Sequence, residues 1–162
     1  MRIVVADTGP LNYLIVIEAI DLLPKLFQSV LIPQAVCAEL RDPGASSAVR
    51  QWADRPPAWV DVRAASMARE PSWKSLDDGE AQALALARSV SADLILMDDR
   101  AGVAIATGEG FAVTGTLGVL ALGARHGLID LADAYARLKT TNFRYRPEIM
   151  DALLTQHSKR KA

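Results

Sequence analysis

The sequence predicts an α/β domain with a twisted, mostly parallel sheet, and three observations carry that prediction. Short apolar runs, Ile3-Val4-Val5-Ala6, Leu94-Ile95-Leu96-Met97 and Phe111-Ala112-Val113, have the composition of fully buried strands. Each is followed by a stretch of helical pattern, the alternation that builds a parallel sheet. The first two runs lead into acids, Asp7 and the pair Asp98-Asp99, and the third into Thr114-Gly115-Thr116. In open parallel sheets the ligand crevice lies outside the carboxyl ends of the strands. Carboxylates gathered there repel one another unless a cation or a proton intervenes. That is the pattern of a divalent-metal site.

The elements follow in order. After Asp7, Thr8 or Gly9 can cap a helix, and Pro10 suits its first turn, where a missing N–H costs nothing. This helix is expected to reach Ala19. A second helix is expected over 21–27, a strand over 29–32, and a helix from Pro33 to Leu40 that Asp42-Pro43-Gly44 stops. A helix over 47–53 precedes Pro56-Pro57, and 59–62 reads as a short strand. Residues 63–75 are poorly patterned and hold Pro71, which suggests a helix fragment and a loop. Residues 78–89, rich in Ala and Leu, form a clear helix. Strand 94–97, helix 100–109, strand 111–113 and helix 115–126 continue as βαβα, and helices near 131–138 and 147–156 close the chain.

With 162 residues, 51% of them hydrophobic, the chain suits one domain with a single core. Residues 1–129 bear the motifs; 130–162 supply C-terminal helices and a basic tail. No apolar stretch approaches the ~18 residues of a membrane span, and Met1-Arg2 leads into a strand rather than a signal peptide. A cytoplasmic protein is the expectation. Cys37 is the only cysteine, so it reads as a buried thiol. The net charge of −1 is unevenly spread: from Leu120 onward there are eight Lys/Arg against four Asp/Glu. Arg144, Arg146, Lys159, Arg160 and Lys161 form a basic flank that would suit a polyanion. A solvated tail is the alternative for the last three.

The acids have structural readings beside functional ones. Asp7 could simply cap a helix, but the strand it ends opens the fold and should lie centrally. Glu39 falls between Ala35 and Val36 on a helical wheel, at the margin of an apolar face. A charge pushed toward a core needs a partner. Asp77 and Glu80 have capping-box spacing, and Glu80 is also placed to point toward the strand ends. Asp98 and Asp99, being adjacent, face opposite ways: Asp98 is expected in the crevice, Asp99 capping the next helix or supporting the site. Thr114 and Thr116 can cap the next helix, orient a metal-bound water or hold a phosphate at its N-terminus; Thr8 could fix a water, and Asp77 would support the site. His126 and His157 lack companions at zinc spacing, and Thr114-Gly115-Thr116-Leu117-Gly118 has no Walker lysine.

Together these segments resemble the PIN-domain nucleases, in particular the prokaryotic subgroup related to VapC-type toxins. The matching pieces are Val4 to Leu11, Ile32 to Leu40, Leu76 to Ala87, Leu96 to Gly102 and Gly115 to Leu120, in unbroken order. The resemblance implies a three-layer α/β/α fold and a metal-dependent ribonuclease. Asp7, Glu39 and Asp98 match its acid cluster, with Glu80 and then Asp99 as further members. Mg²⁺ or Mn²⁺ would be the cofactor, since such ions prefer oxygen ligands and activate water. On that reading Asp7 and Asp98 ligate directly, with Glu39 and Glu80 acting through water or on a second ion. Arg41, Arg100, Arg144 and Arg146 are candidates for RNA contacts.

The resemblance also implies a homodimer and raises an antitoxin partner. Independently, the first two helices carry Leu11, Leu14, Ile15, Ile17, Leu22, Leu23 and Leu26, more apolar surface than one sheet face should cover. Phe143-Arg144-Tyr145-Arg146-Pro147 resembles the subgroup more than VapC toxins generally. A haloacid-dehalogenase-like phosphatase would need an acid where Gly9 stands. A receiver domain would need an accepting Asp and a late Lys, for which no convincing pair is present. A non-catalytic PIN-type binding module is the main rival, and metal-rescued cleavage separates the two.

Overall fold

The strands β1 (Val4–Ala6), β2 (Val30–Pro33), β3 (Val60–Arg63), β4 (Leu94–Leu96) and β5 (Val113–Thr114) form one parallel sheet in the order β3-β2-β1-β4-β5. The computed structural model describes residues 2–65 and 70–161. The expected fragment over 63–75 falls partly outside these residues, as does the side chain of Lys161; Pro71–Trp73 is a single 3₁₀ turn. The helices are α1 (Thr8–Val16), α2 (Leu22–Phe27), α3 (Gln34–Leu40), α4 (Ser47–Asp54), α5 (Asp78–Val90), α6 (Arg100–Gly108), α7 (Thr116–Arg125), α8 (Leu131–Lys139) and α9 (Pro147–Lys161).

Alternation along the strands divides the core into two layers, because successive side chains leave a strand on opposite faces. Val4, Ala6, Val30, Ile32, Leu94 and Leu96 pack with α1, α2, α3, α4, α7 and α8. Val5, Leu31, Ile95 and Met97 face the other way, onto α5, α6 and Trp73. The result is the α/β/α sandwich that buried runs at both faces require. At the β3 edge the side chains are largely exposed, and Asp61 pairs with Arg63 at 2.9 Å. Charge on an edge strand discourages further pairing.

β1 lies at the centre. The chain runs outward from it through β2 to β3 and then crosses to β4 on its other side. The order therefore reverses between β1 and β4, where a crevice opens beyond the carboxyl ends of both strands. Asp7 donates its backbone N–H to the Leu96 carbonyl at 2.9 Å, so the two strand ends are tied together where their acids begin.

Three sequence expectations are corrected. α1 ends at Val16, not Ala19, because Glu18 takes a left-handed conformation (φ 62°) and the Ala19 N–H closes back on Leu14. β5 lies two residues later than its apolar run begins, since register with β4 pairs Ile95 with Val113 and Leu96 with Thr114. The supposed surplus of apolar surface on the first two helices is absent. Leu11, Leu14, Ile15, Ile17, Leu22 and Leu23 are all buried within the chain, and Leu26 packs against the same core. The C-terminal helices complete a layer that the sequence pattern had assigned to a partner. No described helix is long and apolar enough to cross a membrane.

Candidate metal centre

Four of the predicted acids, Asp7, Glu39, Glu80 and Asp98, meet at the carboxyl edge of β1 and β4, each delivered by a different element. Asp7 follows β1 and occupies the cap position of α1 without a side-chain capping bond. It is 5% exposed, and its Oδ1 is buried with no hydrogen-bond partner. Burial raises its pKa from 3.8 to about 7; the Thr8 amide opposes this, and the charges of Asp77, Glu39 and Asp98 add to it. A carboxyl so placed holds its proton to near neutrality unless something positive replaces it.

Glu39, in the last turn of α3, is fixed from two sides. The Thr8 hydroxyl donates to Oε2 at 2.6 Å and the Gly79 N–H to Oε1 at 3.1 Å. It thereby joins the starts of α1 and α5. A Cβ at Gly79 would lie 2.3 Å from Glu39 Oε1, so a side chain there would push the carboxylate off its bond to the Gly79 N–H. Burial raises the Glu39 pKa, the Thr8 bond draws it back, and the charge of Asp77 raises it again.

Asp77 caps α5 by accepting from the Glu80 N–H at 2.8 Å, the first half of the expected capping box. Glu80 nevertheless leaves Oε2 buried without a partner. Burial, then the charges of Asp77, Asp99 and Asp7, raise its pKa to about 8, against the Asp77 amide. Asp98 continues from β4 and is gripped by Thr116, whose amide donates to Oδ1 at 2.7 Å and whose hydroxyl donates to Oδ2 at 2.6 Å. Its pKa is raised by burial and lowered by both of those bonds. Asp99 turns away to cap α6 through the Gly102 N–H at 3.0 Å. Its charge still reaches Glu80.

Asp7, Glu39, Asp77, Glu80, Asp98 and Asp99 form no ion pair with any described Lys or Arg. The starts of α1, α5, α6 and α7 lie at this edge, and their positive dipole ends moderate the repulsion without removing it. Among the described residues no three Asp, Glu, His or Cys side chains stand ready to share a metal ion. Glu39 accepts from Thr8 and Gly79 and Asp98 from Thr116, one bond to each oxygen, which leaves lone pairs on both groups. The unpartnered oxygens of Asp7 and Glu80 fit a hard cation that takes one or two carboxylates and completes its shell with water.

The remaining candidates are dispersed. Thr8 and Thr116 hold acids, whereas Thr114 ends β5 and faces a cavity between α7 and α9. Arg41 is bonded to the Ala53 carbonyl and pairs with Asp54 at 3.6 Å. Arg100 is exposed on the first turn of α6. Arg144 lies close enough to Tyr13 to lower its pKa, while burial first and then Asp98 raise it. Arg146 is exposed just before α9. Sequence reasoning missed Tyr13, which sits in the field of Asp98, and Gly79. The signal for the glycine was its place between Asp78 and Glu80 in the first turn of a helix, where a residue without a side chain permits a close approach.

Carboxylates at the switch point of a parallel sheet, with helix N-termini beside them, define an α/β domain with an acidic cluster at its carboxyl edge. The PIN-domain family matches residues 3–159, and the chain belongs to it. No curated protein and no solved structure shows a significant match. PIN domains are generally nucleases, bind nucleic acid and typically use divalent metal ions.

Proposed function

We propose that the chain is a Mg²⁺- or Mn²⁺-dependent endoribonuclease that hydrolyses phosphodiester bonds of single-stranded or structured RNA. The observation that carries this reading is the buried, unpartnered Oδ1 of Asp7 at the end of the central strand, surrounded by further carboxylates. A bound divalent ion supplies phosphate neutralisation and an acidified water. Asp7 and Glu80 would hold it, with Asp98, the other direct ligand expected from the sequence, oriented beside them by Thr116. Asp7 and Glu80 must first lose the protons that burial lets them keep near neutral pH. Glu39 keeps α1 and α5 in register, and so fixes the separation of those two acids. The test is cleavage of labelled RNA by the purified protein in EDTA and after Mg²⁺ or Mn²⁺ is restored. A chain that binds RNA yet never cuts it under either condition would be the non-catalytic module.

Glu39→Gln is expected to raise the Mg²⁺ needed for half-maximal rate by about 10-fold, the usual cost of losing a group that orients a ligand. Its amide nitrogen would face the Thr8 oxygen or the Gly79 N–H, so one of the two bonds weakens. An unchanged metal titration would return Glu39 to a purely structural role.

Arg144, near the Tyr13 that senses Asp98, and Arg146 are the proposed phosphate contacts of the basic flank. Replacing both with Ala should flatten the salt dependence of RNA affinity by about two counterion-release events. Measured in an Asp7→Asn background, an identical salt slope would make them solvated surface. The likeness to VapC-type toxins extends the proposal to an antitoxin partner; a small antitoxin-like reading frame beside the gene would support it. The homodimer now rests on family likeness alone. Light scattering at micromolar concentration decides it, with twice the chain mass expected.

A further inference from the structure

Thr114 lines a cavity of about 280 Å³ between α7 and α9, together with Arg125, Gln156, His157 and Arg160 over an apolar floor. Three features of this hollow call for an anion. His157 has both ring nitrogens buried without a partner. Arg125 and Arg160 form no ion pair among the described residues. No carboxylate lines the cavity. Favourable placement at helix C-termini would account for the two arginines, but not for an imidazole with neither nitrogen satisfied, since buried polar atoms are ordinarily bonded.

The planar fork of a guanidinium group matches two oxygens of a tetrahedral phosphate. The volume lies just under the roughly 300 Å³ at which ligand pockets begin, which leaves room for a small anionic group. Thr114 also connects the cavity to the acids: two residues on, Thr116 grips Asp98. A strand lying across the carboxylates would thus have a cationic hollow next to it.

We propose that the α7–α9 cavity is a phosphate-binding subsite that seats a phosphate of the nucleic-acid strand beside the acidic cluster. The proposal deepens the nuclease reading and rests on it. It is tested on the metal-free full chain in EDTA, where RNA survives, with uridine 5′-monophosphate and uridine as probes. His157 is one of only two histidines, so its imidazole resonances can be followed by NMR while affinity is measured by calorimetry. The monophosphate should shift the His157 signals and uridine should not. Arg125→Ala/Arg160→Ala should weaken monophosphate binding at least tenfold, and His157→Gln should weaken it while leaving the thermal melt unchanged. A short oligoribonucleotide should displace the monophosphate.

A monophosphate that leaves His157 unmoved, or binds the double variant as well as wild type, overturns the subsite. So does uridine binding equally tightly. An oligoribonucleotide that binds without displacing the monophosphate assigns the cavity to a free nucleotide and overturns the seating of a strand. Cleavage of RNA by the same preparation, with metal restored, separates the two readings. A protein that cuts RNA but fails these titrations retains its nuclease assignment and loses only the subsite.

Discussion

Asp7→Asn is expected to abolish RNA cleavage, by on the order of 10³-fold, while making the metal-free protein more stable. The first effect follows from removing a preplaced charge at the centre of the site, where electrostatic stabilisation is worth most. The second follows from the same burial that makes Asp7 reactive. Its Oδ1 lacks a partner, and its ionised form is opposed by burial and by three neighbouring acids. An amide of the same shape carries no charge to repel. Loss of activity together with a lower melting temperature would mean that the variant merely misfolds. Full activity would remove Asp7 from the chemistry. Asp98→Asn should also reduce cleavage severely, since the Thr116 grip was arranged around a carboxylate.

The metal-free protein should lose stability as pH rises from 5 to 8, and a divalent ion should restore it. Asp7 has a folded pKa of about 7 against 3.8 unfolded, so the folded state binds its proton more tightly. That contribution is whole below about pH 4, declines between the two values and is gone above the folded one. The rise corresponds to about 4 kcal/mol. Glu80, at about 8, carries the decline to slightly higher pH. An ion that binds only the ionised carboxylates stabilises most at pH 8 and little at pH 5.5, because binding to the folded state alone adds stability. Thermal melts across this range, with and without Mg²⁺, check both halves. A flat profile in EDTA, or equal stabilisation at both pH values, would contradict the assignment, and Asp7→Asn should lose most of the slope.

Much of this was legible because strands write themselves into sequence as apolar runs. Val4 to Ala6 and Leu94 to Leu96 are buried on both faces, and the acids that end them needed no tertiary knowledge to notice. Asp77 and Asp99 were legible as caps because capping is a local act; the structure shows both bonds. What stayed hidden was set by contacts distant in sequence. α1 stops at a left-handed glutamate rather than a glycine, so no residue type announced its end. β5 is two residues long because β4 fixes its register, not because its own apolar run does. The apolar helices were read as seeking a partner because α7, α8 and α9 cover them from far along the chain. Gly79 was simply part of a helix start, and the close approach it permits comes from Glu39, forty residues earlier. His157 looked isolated because Arg125 and Thr114 join it only in the fold.

The central claim is that Asp7 and Glu80 together hold a divalent ion. Mn²⁺ titrated into the purified protein at pH 8 and followed by electron paramagnetic resonance tests it without reference to activity. The account predicts saturable binding that Asp7→Asn and Glu80→Gln each weaken at least tenfold, and that protons displace as pH falls below about 6. Mn²⁺ binding left unchanged by either substitution, or RNA cleavage that persists in a wild-type protein binding no metal at all, would contradict it.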